Sequence, residues 1–196
     1  LKLGAASNTS ISALNGTDSS FTVVFTGADA YDTNAAGVTY YWYAFGRFVE
    51  TGSYVGTTAD LTVAHSLGES PSMLWIITLN TNDPCSWKSS GMAADESTDF
   101  ATSVMVDFEI TAMTSTNFTL ESLAGGGADV NTNGDTFHYV AFPQVTNLHV
   151  GRYTGTGVDG ADFPTPVIAF NPRLVHIKGE TSGRNAVFKT ESMAGD

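Results

Sequence analysis

Thr136-Phe137-His138-Tyr139-Val140-Ala141-Phe142 is the stretch on which the fold turns. β-Branched and aromatic side chains dominate it, and these fit a pleated, half-buried surface. The strand period of two puts Phe137, Tyr139 and Ala141 on one face and His138, Val140 and Phe142 on the other. Both faces are apolar, which predicts a central strand with a packed layer on each side.

The pattern occurs twice. Thr39-Tyr40-Tyr41-Trp42-Tyr43-Ala44-Phe45 lies 97 residues upstream and alternates in the same way, with Tyr40, Trp42 and Ala44 on one face. A glycine-aromatic turn follows each copy, Gly52-Ser53-Tyr54-Val55-Gly56-Thr57 and Gly151-Arg152-Tyr153-Thr154-Gly155-Thr156, now 99 residues apart. Pro71-Ser72-Met73-Leu74-Trp75-Ile76 and Pro172-Arg173-Leu174-Val175-His176-Ile177 match at an offset of 101, as do Trp87-Lys88 and Phe188-Lys189. Upstream, Phe21-Thr22-Val23 matches Phe118-Thr119-Leu120, and Ile11-Ser12-Ala13-Leu14 matches Ile110-Thr111-Ala112-Met113. The order holds from end to end, so the chain reads as two homologous units, residues 1–96 and 97–196.

Within each unit, short β-branched and aromatic runs alternate with Gly, Asn, Asp or Pro, and no helical period persists beyond a turn or two. Seven or eight such runs in about 98 residues predict an all-β protein of two tandem homologous antiparallel β-sandwich units. Phe21–Thr26 with Val38–Val49, and Phe118–Ser122 with Thr136–Phe142, read as hairpins. Order along the chain does not settle pairing in space. Strand exchange between the units, or one larger sandwich built from both, is equally compatible with it.

Composition agrees. Only 14% of the 196 residues are charged while 42% are hydrophobic, so Thr, Ser, Asn and Gly fill the surface and strong helix formers are scarce. Twenty acidic residues against eight basic ones leave a net charge of −12, which repels phosphate and argues against nucleic acid as a partner. No run approaches the roughly 20 apolar residues of a membrane-spanning helix, and no signal peptide is visible at Leu1. Cys85 is the single cysteine, so no intrachain disulfide exists.

Candidate sites are few. Asp129-Val130-Asn131-Thr132-Asn133-Gly134-Asp135 copies the first half of a calcium loop, with Asp129, Asn131 and Asn133 as ligands. The closing Glu is missing, because position 140 is Val, so a turn is the simpler expectation. Asp159 and Asp162 form a weaker pair, and Asp95, Glu96 and Asp99 a solvated junction between units. His65, His138, His149 and His176 are dispersed and no nucleophile elbow occurs, so no catalytic residue and no cofactor is expected. His138 and His176 stand where the first unit has Tyr41 and Trp75, a sign of space filling. Trp75, Trp87, Tyr54 and Tyr153, with Tyr31, are the aromatics that could stack on a sugar ring.

The succession Tyr139-Val140-Ala141-Phe142, Val150-Gly151-Arg152-Tyr153-Thr154-Gly155 and Ala169-Phe170-Asn171-Pro172-Arg173-Leu174-Val175-His176-Ile177-Lys178 resembles repeat segments of bacteriophage virion structural proteins, tail-fibre-like or capsid-decorating. The first unit departs from the pattern at Gly68-Glu69-Ser70-Pro71, where Gly-Phe-x-Pro is the rule, and at Ile77, where Lys is. The resemblance implies a non-enzymatic virion component that assembles with copies of itself and with other virion proteins. A carbohydrate-binding or host-adhesion module, with a surface glycan as ligand, is the alternative.

Overall fold

The computed structural model describes residues 11–15, 20–23, 44–45, 48–78, 85–100, 106–107, 109–122, 130–155, 157, 168–179 and 186–193. Two compact units divide the chain, one formed by Ala6–Ala44 and one that holds Phe45–Asp196 with Leu1–Ala5. In the smaller unit β1 (Ile11–Asn15) and β2 (Ser20–Val23) form an antiparallel hairpin.

The larger unit carries β3 (Glu50–Val55), β4 (Leu61–Ala64), β5 (Met73–Thr78), β6 (Ser86–Ser89), β7 (Glu96–Asp99) and β8 (Val106–Asp107). It continues with β9 (Ile110–Met113), β10 (Asn117–Leu120), β11 (Thr136–Phe142), β12 (Leu174–Ile177) and β13 (Val187–Thr190). Every element among the described residues is a strand, and every pairing is antiparallel. The described residues are all-β. A six-stranded sheet runs β3-β11-β5-β6-β7-β8, a three-stranded sheet β4-β10-β9, and β12-β13 stand as a pair.

Two apolar clusters hold these layers together. Leu74, Ile76, Phe137, Tyr139 and Ala141 of the larger sheet pack against Val63, Ile110, Phe118 and Leu120 of the smaller one. This is sandwich packing, and each fully buried apolar side chain in it contributes about 1.5–3 kcal/mol relative to exposure. On the other face of the six-stranded sheet, Trp75, Trp87, Phe100 and Phe142 form a second cluster, joined by Phe45, Val140 and Phe188. The alternation of β11 thus serves both clusters, as a strand apolar on two faces requires.

The hairpin expected between Phe118–Ser122 and Thr136–Phe142 is not formed. β10 bonds to β4 and β9, whereas β11 lies between β3 and β5. The reason is coverage: only the middle of the larger sheet buries both faces of β11. Most of the corresponding pair, Phe21–Thr26 with Val38–Val49, lies outside the described residues. Strands from before and after residue 96 alternate within one sheet, since β11 is inserted between β3 and β5.

Hairpins at equivalent sequence positions share one register. Met73↔Ser89 through Ile76↔Ser86 in β5-β6 becomes Leu174↔Thr190 through Ile177↔Val187 in β12-β13, every partner shifted by 101 residues. The turn bonds shift with them: Ser90 N–H to Ser72 O and Met92 N–H to Ser89 O reappear as Glu191 N–H to Arg173 O and Met193 N–H to Thr190 O. Likewise β9-β10 pairs Met113, Ala112 and Ile110 with Phe118, Thr119 and Leu120, and β1-β2 pairs Leu14, Ala13 and Ile11 with Phe21, Thr22 and Val23. Both ladders shift register at the same point, passing over Thr111 in one and Ser12 in the other.

Candidate functional site

The calcium-like segment serves as a clasp. Asn131 is fully buried; its Oδ1 accepts from Thr57 N–H at 2.8 Å and its Nδ2 donates to Ala59 O at 2.8 Å. The Tyr54 hydroxyl donates to Val130 O at 2.6 Å beside it. Asn133 is exposed in the following turn, where Gly134 takes a φ of 83° that suits glycine. Asp129, Asp159 and Asp162 lie outside the described residues. Among the described residues no three His, Cys, Asp or Glu side chains gather as a metal ion would need. Asn131→Ala would remove both bonds, to the half-buried Thr57 N–H and to the Ala59 carbonyl, each worth about 0.5–1.5 kcal/mol. We expect a loss of about 1–3 kcal/mol in urea unfolding, with Asn131→Asp only partly restoring the pair because a carboxylate cannot donate to Ala59 O.

The aromatics named as sugar platforms are mostly internal. Trp75 and Trp87 are each only 8% exposed and face each other across β5 and β6. Trp75 lies 4.9 Å from Phe142 and 5.5 Å from Phe100, ring centre to ring centre. Tyr54 is buried and stacks on Phe137 at 5.3 Å. Tyr153 is exposed, at 46%, and Tyr31 lies outside the described residues.

Histidine and lysine chemistry is likewise engaged in packing. His65 Nε2 lies 3.0 Å from Thr114 O and His65 Nδ1 accepts from Leu67 N–H, an arrangement that puts the proton on Nε2. His138 is half-buried in β11 and His149 is exposed. Lys88 is buried, its Nζ donating to Ala93 O at 2.7 Å and to Glu96 O. Burial holds its ammonium below the ordinary lysine range, with Asp95 and Glu96 opposing. Asp95 is exposed, Glu96 half-buried and Asp99 buried. The Cys85 thiol is pushed up to about 11 by burial, so it is not a nucleophile near neutrality. A shallow cleft of ≈ 300 Å³ between Ser70, Lys88, Met92 and Thr111 offers no activated group, because the Lys88 ammonium is held by the two carbonyls.

His176 is the titrating contact. It stacks on Phe188 at 4.3 Å and meets Trp87 at 4.8 Å and Phe100 at 5.3 Å. Its Nε2 is buried without a hydrogen-bond partner among the described residues. Desolvation, helped by the charge of Lys178, lowers its pKa to about 4. The unfolded chain therefore binds a proton here that the folded chain refuses between pH 6.5 and about 4. This contribution to stability is complete above pH 6.5 and is lost as pH falls through that window. Urea midpoints measured from pH 7 to 5 should fall more steeply for the native chain than for His176→Phe; equal slopes would contradict this.

One surface feature went unnoticed in the sequence. On β12-β13 the inward positions His176 and Phe188 pack, while Val175, Ile177 and Val187 on the outer face are 37%, 41% and 63% exposed. Alternation in Leu174–Ile177 places Val175 and Ile177 together, and the structure adds that both side chains are exposed. Among the described residues no helix is long and apolar enough to cross a membrane. No family profile, no curated protein and no solved structure matches the chain.

Proposed function

We propose that this chain is a non-enzymatic structural protein of a bacteriophage-like particle, a tail, fibre or capsid-decorating component located in the virion. Its partners are copies of itself and other virion proteins, met through β surfaces. The observation that carries this reading is the outer face of β12-β13, where three apolar side chains on adjacent strands are exposed in a chain otherwise rich in uncharged polar surface. Such patches mark contacts between proteins. Side chains of catalytic type support it too: His65, His176, Lys88 and Asn131 fasten backbone or fill the core rather than converge on a cleft.

The tandem duplication belongs to the same proposal. Two homologous β-sandwich units, residues 1–96 and 97–196, account for the shared registers, the shared turn bonds and the shared register shift of the two hairpin pairs. Repetition of a unit that buries its faces against neighbours is how arrays are built. The resemblance to virion repeat segments supplies the particle. An antibody to the chain should find it with intact phage-like particles after density-gradient purification; recovery only in the soluble fraction would count against the virion role.

A further inference from the structure

We propose that β12-β13 is a separately opening hairpin of the larger unit and that His176 ties its docking to pH: protonation of the ring releases the hairpin from the six-stranded sheet while the sandwich stays closed. The starting point is how the hairpin is held. Among the described residues β12 and β13 bond to each other and to no other strand. The turn bond from Glu191 N–H to Arg173 O and the exposed ion pair of the same two residues, at 3.3 Å, lie within the hairpin as well.

Its tie to the sheet is side-chain packing. His176 stacks on Phe188 at 4.3 Å with the ring planes 11° apart. His176 then meets Trp87 at 4.8 Å and Phe100 at 5.3 Å, and Phe188 meets Phe100 at 6.2 Å. Attraction between Lys178 and Asp99 adds to it. β5, the counterpart of β12, is held differently: it bonds to β11 on one side and β6 on the other, and Leu74 and Ile76 lie in the sandwich core. A two-stranded hairpin alone is marginally stable at best, so undocking opens its ladder without opening the sandwich.

Protonation strikes the middle of this tie. His176 Nε2 is buried without a hydrogen-bond partner, and Trp87 Nε1 in the same stack is a buried donor without one. In a neutral imidazole one of the two nitrogens is an acceptor; in an imidazolium both are donors, and the added charge has to stay out of water. The ring faces attract a cation but give the N–H no acceptor.

The charged and titratable groups on the elements around this ring are Lys178 after β12, Lys189 on β13 with Glu191 after it, Cys85 and Lys88 at β6, and Glu96 and Asp99 on β7. Lys178 acts against a positive ring and Asp99 acts on Lys178. The Cys85 thiol, at about 11, stays neutral, and the Lys88 ammonium is held by the Ala93 and Glu96 carbonyls. Docked, His176 resists protonation down to about pH 4, whereas undocked it takes the proton near the ordinary histidine value of about 6.5. Docking is therefore at full strength above pH 6.5 and weakens as pH falls through that window. Release brings the rings of Trp87 and Phe100 to solvent, so acid uncovers an aromatic surface.

Amide hydrogen exchange on the full chain, followed by NMR at pH 7 and pH 5 in low urea and corrected for intrinsic rates, tests this. The ladder amides of β12 and β13 should be less protected than those of β5 and β11 at both pH values. They should also depend less on urea, because a local opening exposes less surface. Between pH 7 and pH 5 their protection should fall about 20-fold, the factor given by titration near 6.5 when open and about 4 when docked. In His176→Phe that fall should disappear. If this variant does not fold, His176→Gln makes the same comparison, since neither side chain takes a proton in this range. Equal protection and equal urea dependence in β12-β13 and in β5 and β11 would overturn the inference, because the hairpin would then open only with the whole unit. Protection in β12-β13 that ignores pH, or that falls as far without His176, would overturn it too.

Discussion

Phe118→Ala should lower the stability of the larger unit by about 3–5 kcal/mol, the range for emptying a phenylalanine site in a packed core. Phe118 is fully buried where the two sheets meet, with Tyr139 at 5.1 Å, Tyr54 at 6.1 Å and His65 at 6.5 Å, ring centre to ring centre. These rings come from β11, β3 and the segment after β4, so no single neighbour can move in to fill the space. Against a total of roughly 5–15 kcal/mol for a domain, the change removes much of what holds the sandwich shut. Urea unfolding should show a lower midpoint at an unchanged slope. A loss below about 1 kcal/mol would mean that the sheets do not face each other through Phe118.

The second large effect is expected at Gly56. A Cβ built there would stand 2.1 Å from Thr132 O and 2.8 Å from Asn131 C, both backbone atoms that no side-chain rotation can clear. Gly56 also exchanges bonds with the loop that crowds it, its N–H donating to Asp135 O at 2.9 Å and its carbonyl accepting from Gly134 N–H at 3.1 Å. Gly56→Ala must separate β3 from the turn that leads into β11. The cost should reach or exceed the upper end of the roughly 1–3 kcal/mol typical of overpacking. Gly155→Ala is the control within the same chain: with nothing within 4 Å of the new methyl, it should leave the melting midpoint of the isolated chain unchanged. Equal effects at the two glycines would contradict the close approach at Gly56.

What could be read from the residues depended on how local the cause was. Two apolar faces on Thr136–Phe142 lead to a central strand, and the structure places β11 inside its sheet, between β3 and β5, with a cluster on each side. Leu74 and Ile76 opposite Trp75 could be read the same way, because period-two alternation is a property of the strand alone. Partner choice is not local. Phe118–Ser122 and Thr136–Phe142 are successive strands with a glycine-rich connection, which suggests a hairpin, yet they lie in different sheets because β11 needs cover on both faces.

The candidate sites follow the same division. Asn131 was visible as a polar residue in a ligand-like spacing, but its bonds to Thr57 and Ala59 join positions more than 70 residues apart, and no local pattern encodes them. For Trp75 and Trp87 packing is the simpler reading beside a surface platform, and β5 and β6 turn both rings into the second cluster. The outer face of β12-β13 was half legible: alternation gave the grouping of Val175 and Ile177, and the repeat gave their equivalence to Leu74 and Ile76. Exposure itself depends on which strands lie above, and that is a property of the assembled layers.

An image of the native assembly at a resolution that separates strands tests the central claim most directly. A reconstruction of the phage-like particle should show this chain as repeated β-sandwich density in contact with its own copies, on the shell, the tail or a fibre. Density in which every copy stands alone, or particles that contain no copy of the chain, would contradict a structural protein that assembles through its β faces.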